Sequence, residues 1–424
     1  MSASFLKQTR RLIDRIRDSD PEYMVLKHQS QWINHPSKDV PLHHLPDQIG
    51  TLEEFYYFIS HHPFSVDILN NLNTFVQQDP SIPEFDRRYL FSPFLSPMIQ
   101  GWIFEHCPYL TTFQLQTSTG LIINLDILSE TSGDFAPVLK SIANVITMVR
   151  HAYQVKDQVH RPIHIIYAMT PFHKRLNIFT KNIKINRSLR KETSLRSLRY
   201  NYTTFTNPIT NLNVNSGLTD HGSGGENGGD GDVYIMIWRT EEFEKVLIHE
   251  LIHYYDLEKT YELPIIPVNI SNNYSHHSRE LTTELQTWYL YIIYRLTIDP
   301  SLDVVNVLEQ ERMYSLIVMA RILRHFQIRD LNQFLGDDPK YMLNLGSSTL
   351  YYYIFKAVVL FHPYEELLHP SKPCRRCKRV LTDHLTQTIQ QTLVDPTFRE
   401  AINRLLSVVT PLDDDMRMMS GDYV

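Results

Sequence analysis

His249, Glu250 and His253 stand in the order His-Glu-Leu-Ile-His. Imidazoles and carboxylates are the side chains that bind metal ions and move protons near neutral pH. On a helix, positions i and i+4 share a face, so His249 and His253 can hold one metal ion from a single helix. Glu250 sits beside them, turned partly toward the open side of such an ion. There it could take a proton from a metal-activated water. A five-residue pattern can arise by chance in a chain with 20 histidines, so the elements around it must decide.

Those elements agree. Residues 233–238, Val-Tyr-Ile-Met-Ile-Trp, read as a compact buried strand. Thr240 is then an expected N-cap, and Glu241 and Glu242 suit the positive end of a helix running from about 241 to 258. Phe243, Val246, Leu247, Ile248, Leu251, Ile252, Tyr254 and Tyr255 cover most of its circumference, which predicts burial nearly all round. Two histidines and a glutamate in that setting need partners, and a metal supplies them. A catalytic zinc takes three protein ligands and keeps a fourth position open. A second helix over 278–297 offers Glu280 and Glu284, spaced i and i+4 on one face. Asp256 faces broadly the same way as His249. Three residues after His253 it converges poorly on the same ion, so it reads as a supporting or exposed group.

The pair of helices resembles the zincin metallopeptidases, in particular the glutamate-zincin branch. The likeness rests on the His249–His253 motif and on Arg279-Glu280-Leu281-Thr282-Thr283-Glu284, and covers about residues 111–297. It implies an α+β fold in which a mixed sheet subdomain packs on the motif helix and a mainly helical subdomain follows. It implies one Zn2+ per chain, held by His249, His253 and Glu280, with Glu284 hydrogen-bonded to a metal-binding histidine, the two glutamates being exchangeable. It implies peptide hydrolysis with Glu250 as general base. An exposed strand over 211–219, through Asn213, Val214, Asn215, Ser216 and Gly217, would pair with a peptide or protein substrate. The run Val-Asn-Ser-Gly-Leu-Thr also looks like uncharacterised metallopeptidases of large DNA viruses. That likeness would place the protein in a virion or virus factory. The gap between His253 and Glu280 is longer than in compact bacterial zincins. For the oxyanion of the transition state the candidates are Tyr274, His276, His277 and, on a later helix, Tyr351, Tyr352 and Tyr353.

The rest of the chain predicts scaffold. Residues 1–110 form an accessory region, mainly helical, that opens with a basic amphipathic helix over 1–20. His43-His44 and His61-His62 are adjacent pairs that do not share a helix face. A hairpin over 111–127, a long helix after Pro137 and a strand over 163–169 begin a sheet subdomain that runs to about 260. Helices at 303–326, 348–361 and 380–406 fill 261–410, and 411–424 is an acidic tail. Residues 222–232 are a glycine-rich loop; a single glycine-aspartate copy cannot build a stacked calcium site. Residues 171–200 hold Lys174, Arg175, Lys181, Lys184, Arg187, Arg190, Lys191, Arg196 and Arg199 against one acid, Glu192. A nucleic-acid-associated protein would use such a segment, but a net charge of −6 argues against a dedicated nucleic-acid partner. A catalytically inactive zincin-like structural or interaction protein is the other alternative, and it would more often have lost Glu250. Three cysteines do not make a disulfide framework. Cys374-Arg-Arg-Cys377 reads as an exposed basic turn rather than a redox pair or, with Cys107 and His369, a structural zinc site. Neither a signal peptide nor a run of about 18 apolar residues is found, which predicts a cytoplasmic location without a membrane span.

Overall fold

The computed structural model describes most of residues 95–172, 216–258, 278–343 and 348–409, with 74–75 and a few positions besides. Most of the N-terminal region, the basic segment beyond Lys174, the glycine-rich loop and the acidic tail lie outside the described residues.

Strands β1 (Thr74–Phe75), β2 (Tyr109–Gln116), β3 (Ile122–Ser129), β4 (Ile163–Ala168), β5 (Gly217–Asp220) and β6 (Tyr234–Ile237) form one mixed sheet, in the order β1-β2-β3-β4-β6-β5. The expected hairpin is present: β2 and β3 pair antiparallel, Phe113 opposite Leu125. Helix α1 (Ala136–Tyr153) then carries the chain across the sheet, so that β4 joins β3 in parallel. β6 continues the parallel run beside β4, and β5 closes the sheet as its antiparallel edge.

Side chains alternate across these strands, and the two faces are buried by different layers. Ile123, Leu125, Ile127, Ile163, Ile165, Tyr167, Ile235 and Ile237 face α1 and the helices beyond it. Leu128, Ile166, Ala168, Met236 and Trp238 face Leu95, Ile99, Ile103 and Cys107. Double burial explains why β6 reads as an unbroken apolar run.

After β6 come α2 (Phe243–Tyr254), α3 (Ser278–Ile298), α4 (Val304–His325), α5 (Leu331–Leu335), α6 (Ser348–Phe361), α7 (Arg375–Val394) and α8 (Pro396–Val408). One cluster of buried side chains runs from β2 through all of these helices to Val409. The sequence led to one helix over 380–406; the structure has two. Asp395 and Pro396 part them, Asp395 capping α8 through the Thr397 amide at 2.7 Å.

Helix α2 is shorter than expected at both ends. It starts after Glu242, whose φ of 57° puts it in the left-handed region, with no side-chain cap. Thr240 does not cap it; its hydroxyl donates to the Thr170 carbonyl at 3.2 Å. The helix stops before Tyr255, and Asp256, at φ 51°, turns the chain away. No helix among the described residues is long and apolar enough to cross a membrane.

Candidate metal centre

The centre is built where α2 crosses α3. His249 and His253 project from one face of α2, and Glu280 reaches them from the first turn of α3. His249 Nε2 lies 3.2 Å from His253 Nε2 and 3.2 Å from Glu280 Oε2. His253 Nε2 lies 3.4 Å from Glu280 Oε2. Three ligand atoms therefore form a nearly equilateral triangle. Donors at about 2.0–2.1 Å from a tetrahedral ion are separated by about 3.3 Å. The triangle has the size that such an ion needs, and His249, His253 and Glu280 could hold one metal ion.

The triangle is open on one side. The side chains of His249 and His253 are 8% and 16% exposed, but that of Glu280 is 32% exposed. Solvent therefore approaches past Glu280.

Behind the ligands, the far ring nitrogens meet different partners. His253 Nδ1 is 2.9 Å from Glu258 Oε1, which fixes that ring and its tautomer. The sequence reading missed Glu258, because it placed 258 on a continuous helix. The turn at Asp256 brings Glu258 back under His253 and leaves Asp256 itself exposed. Glu284 is fully buried one turn after Glu280, but its oxygens belong to lysines. Lys245 Nζ donates to Oε1 and Oε2 at 2.8 and 2.9 Å, and Lys356 Nζ, from α6, to Oε1 at 2.9 Å. His249 Nδ1 is 3.7 Å from Glu284 Oε2, an ion-pair contact longer than an ordinary hydrogen bond, and Glu284 still helps to raise the His249 imidazole. Glu280 and not Glu284 thus reaches the ligand triangle. Lys245 could have been found from the sequence, since it lies one turn before His249 on the same face.

Charge supports the same reading. Glu250, Glu258, Glu280 and Glu284 bring four carboxylates together, against the ammonium groups of Lys245 and Lys356. With neutral imidazoles two negative charges remain, which one divalent cation cancels. Protons do the same when no ion is bound. Burial pushes both histidines down, but the carboxylates outweigh it, Glu280 foremost, and raise His249 and, further, His253 above the ordinary imidazole value. Burial pushes Glu280 up, but His253 and His249 hold it well below the usual carboxylate range.

Glu250 lies on the strand side of α2. Its Oε2 accepts a hydrogen bond from the Thr219 hydroxyl at 2.8 Å, and the same hydroxyl is 3.0 Å from its backbone carbonyl oxygen. Burial raises its pKa, opposed by His249, His253 and the Thr219 hydrogen bond. Gly217 is what lets strand and helix approach. A Cβ there would lie 2.7 Å from Val246 Cγ1 and 2.8 Å from Glu250 Oε1.

Of the expected edge strand, Ser216 is described just before β5 and Gly217 begins it, while Asn213, Val214 and Asn215 lie outside the described residues. Among the described oxyanion candidates, Tyr352 makes a ring contact with His249, its centroid 6.0 Å away. Burial raises its pKa well above the usual phenol value, with Glu284, Glu280 and Glu250 adding to the effect. Tyr351 and Tyr353 are buried on the same helix; Tyr274, His276 and His277 lie outside the described residues. Lys174, the first lysine of the basic segment 171–200, is not a solvated charge. It is 1% exposed and donates to Glu242 Oε2 at 3.0 Å. Cys377 is exposed and disulfide-bonded rather than a metal ligand, and Cys374 and His369 lie outside the described residues. Cys107 is free and buried with Leu95, Ile99 and Ile103, in a different cluster from the one that holds α2. No family model, curated protein or solved structure matches the chain.

Proposed function

We propose that the protein is a zinc-dependent peptidase of zincin type. The observation that carries this reading is the triangle of His249, His253 and Glu280, whose sides of 3.2, 3.2 and 3.4 Å suit a tetrahedral ion. Nitrogen and carboxylate donors with one open side are the donor set of hydrolytic zinc rather than of structural zinc.

Zinc held there would polarise a scissile carbonyl and acidify a water molecule. Glu250 accepts the proton that the water loses and passes it to the departing amine. Thr219 holds the Glu250 carboxylate in place for both transfers. His253 is kept in the right tautomer by Glu258. Tyr352 stands beside His249, ring centroid to ring centroid at 6.0 Å, which makes it the candidate for meeting the oxyanion among the described tyrosines. Among the described strands β5 is the outer one, and its edge would offer backbone groups to an extended peptide, next to Thr219 and Glu250.

Metal content measured by mass spectrometry on purified protein, together with a peptide-library digest, tests the proposal. The expected result is about one zinc per chain, lost in His253→Ala. Glu250→Gln should keep the metal and slow hydrolysis by at least about a hundredfold. Protein without stoichiometric metal would sink the reading. Protein that binds zinc and cleaves nothing would leave a metal-stabilised binding scaffold.

A further inference from the structure

Three helices meet at Glu284. Lys245 comes from α2, one turn before His249, and Lys356 comes from α6, one turn after Tyr352. Both lysines are buried, at 0% and 1% exposure, and both donate to Glu284. One lysine would neutralise one carboxylate. Removing an ammonium from water costs several kcal/mol, so a second lysine is an expense that packing alone does not explain.

The second lysine has an effect on the metal ligand. A carboxylate behind a metal-binding histidine ordinarily accepts the imidazole N–H, which raises the basicity of the ligand and tightens the metal. Here the carboxylate is present, but its charge is spent on two ammonium groups. It stands 3.7 Å from His249 Nδ1, a long contact for a hydrogen bond. His249 is therefore the weaker donor of the pair, since His253 has its carboxylate, Glu258, at 2.9 Å. Two ammonium groups near the triangle also oppose a cation.

We propose that Lys245 and Lys356 act through Glu284 to keep the bound metal electron-poor. They draw the Glu284 carboxylate away from His249 and set positive charge behind it, which gives up affinity in exchange for Lewis acidity. They are positioning residues and touch neither metal nor substrate. The inference rests on the metal centre proposed above.

The test is the affinity for Zn2+ and Co2+, measured by competition with a chromophoric chelator in the full-length protein. Lys356→Met and Lys245→Met each leave Glu284 with one lysine, so each keeps a neutral buried pair. Both should bind metal more tightly, by about tenfold. Both should also hydrolyse peptide more slowly, through kcat rather than KM. Lys356→Arg keeps the charge and should return affinity to the wild-type value. A lysine that serves packing alone would weaken metal binding on removal. Unchanged or weaker binding in both methionine variants therefore overturns the proposal. Wild-type protein that binds neither ion would overturn the centre itself, a result distinct from a centre that binds but does not tighten.

Discussion

The α-carbon of Gly217 faces the Glu250 carboxylate so closely that a methyl group on it would stand 2.8 Å from Oε1. Strand β5 and helix α2 thus meet at the one residue whose side chain is a hydrogen atom. Gly217→Ala should push either β5 or Glu250 aside. Overpacking of this kind costs about 1–3 kcal/mol. Chemical denaturation should register that cost, and hydrolysis should fall further than metal content does. An active alanine variant of wild-type stability would show that the strand is free to retreat. Thr219→Val, which keeps the shape and removes the hydroxyl, separates loss of the hydrogen bond from loss of space.

Glu258 Oε1 stands 2.9 Å from His253 Nδ1, behind the candidate metal ligand. Glu258→Ala should weaken zinc binding by about 10–100-fold while the fold is kept, as judged by circular dichroism. Chelator competition reads the change directly. A variant with unaltered affinity would mean that the His253 ring is oriented by its packing alone.

Glu284 is the anion that two buried lysines share. Glu284→Leu leaves both without it and should destabilise the protein by about 3–5 kcal/mol. Replacing all three groups together, as Lys245→Met, Glu284→Leu and Lys356→Met, should recover most of that loss, because no unpaired charge remains. Urea unfolding of the two variants makes the comparison. If the triple variant is as unstable as the single one, shape rather than charge governs this part of the core.

Cys107 is 2% exposed, and burial, with Glu130 adding to it, pushes its thiol up to about 12. A thiol whose pKa is raised stays protonated, and it becomes a nucleophile only as the pH climbs toward that value. At pH 8 alkylation of native Cys107 should be slower than that of a free cysteine by about a thousandfold. Peptide mapping after iodoacetamide treatment checks this, and denaturant should abolish the protection. Fast labelling of the native protein would mean that the layer formed by Leu95, Ile99 and Ile103 opens readily.

Much of the scaffold was legible because it follows period. The alternation through Phe113 and Leu115, the helical spacing from Leu139 to Val149 and the apolar block of β6 each marked an element found within a residue or two of its place. His249 and His253 were legible for the same reason, since i and i+4 share a helix face, whereas Glu280 lies on the next helix and was expected only through the family resemblance. Glu258 was not, because a left-handed turn at Asp256 leaves no periodic signal. Lys174 and Lys356 were not, because whether a lysine is solvated or buried depends on the anion that waits for it. Glu242 and Glu284 are 68 and 72 residues away from them in the chain. The break at Asp395-Pro396 could have been seen, as aspartate before proline is a cap before a first turn. The apolar periodicity on either side obscured it.

The ligands come from consecutive helices, with 31 residues between His249 and Glu280, whereas Lys356 follows Glu284 by 72. Closing the shorter loop costs little chain entropy. With the centre proposed above, a chain emerging from synthesis could clasp an ion with α2 and α3 before α6 exists, when Glu284 has only Lys245 to satisfy. The ion would then enter a tighter nascent site, and the arrival of α6 would loosen its hold. Loading and catalysis would belong to different moments in the life of the same centre.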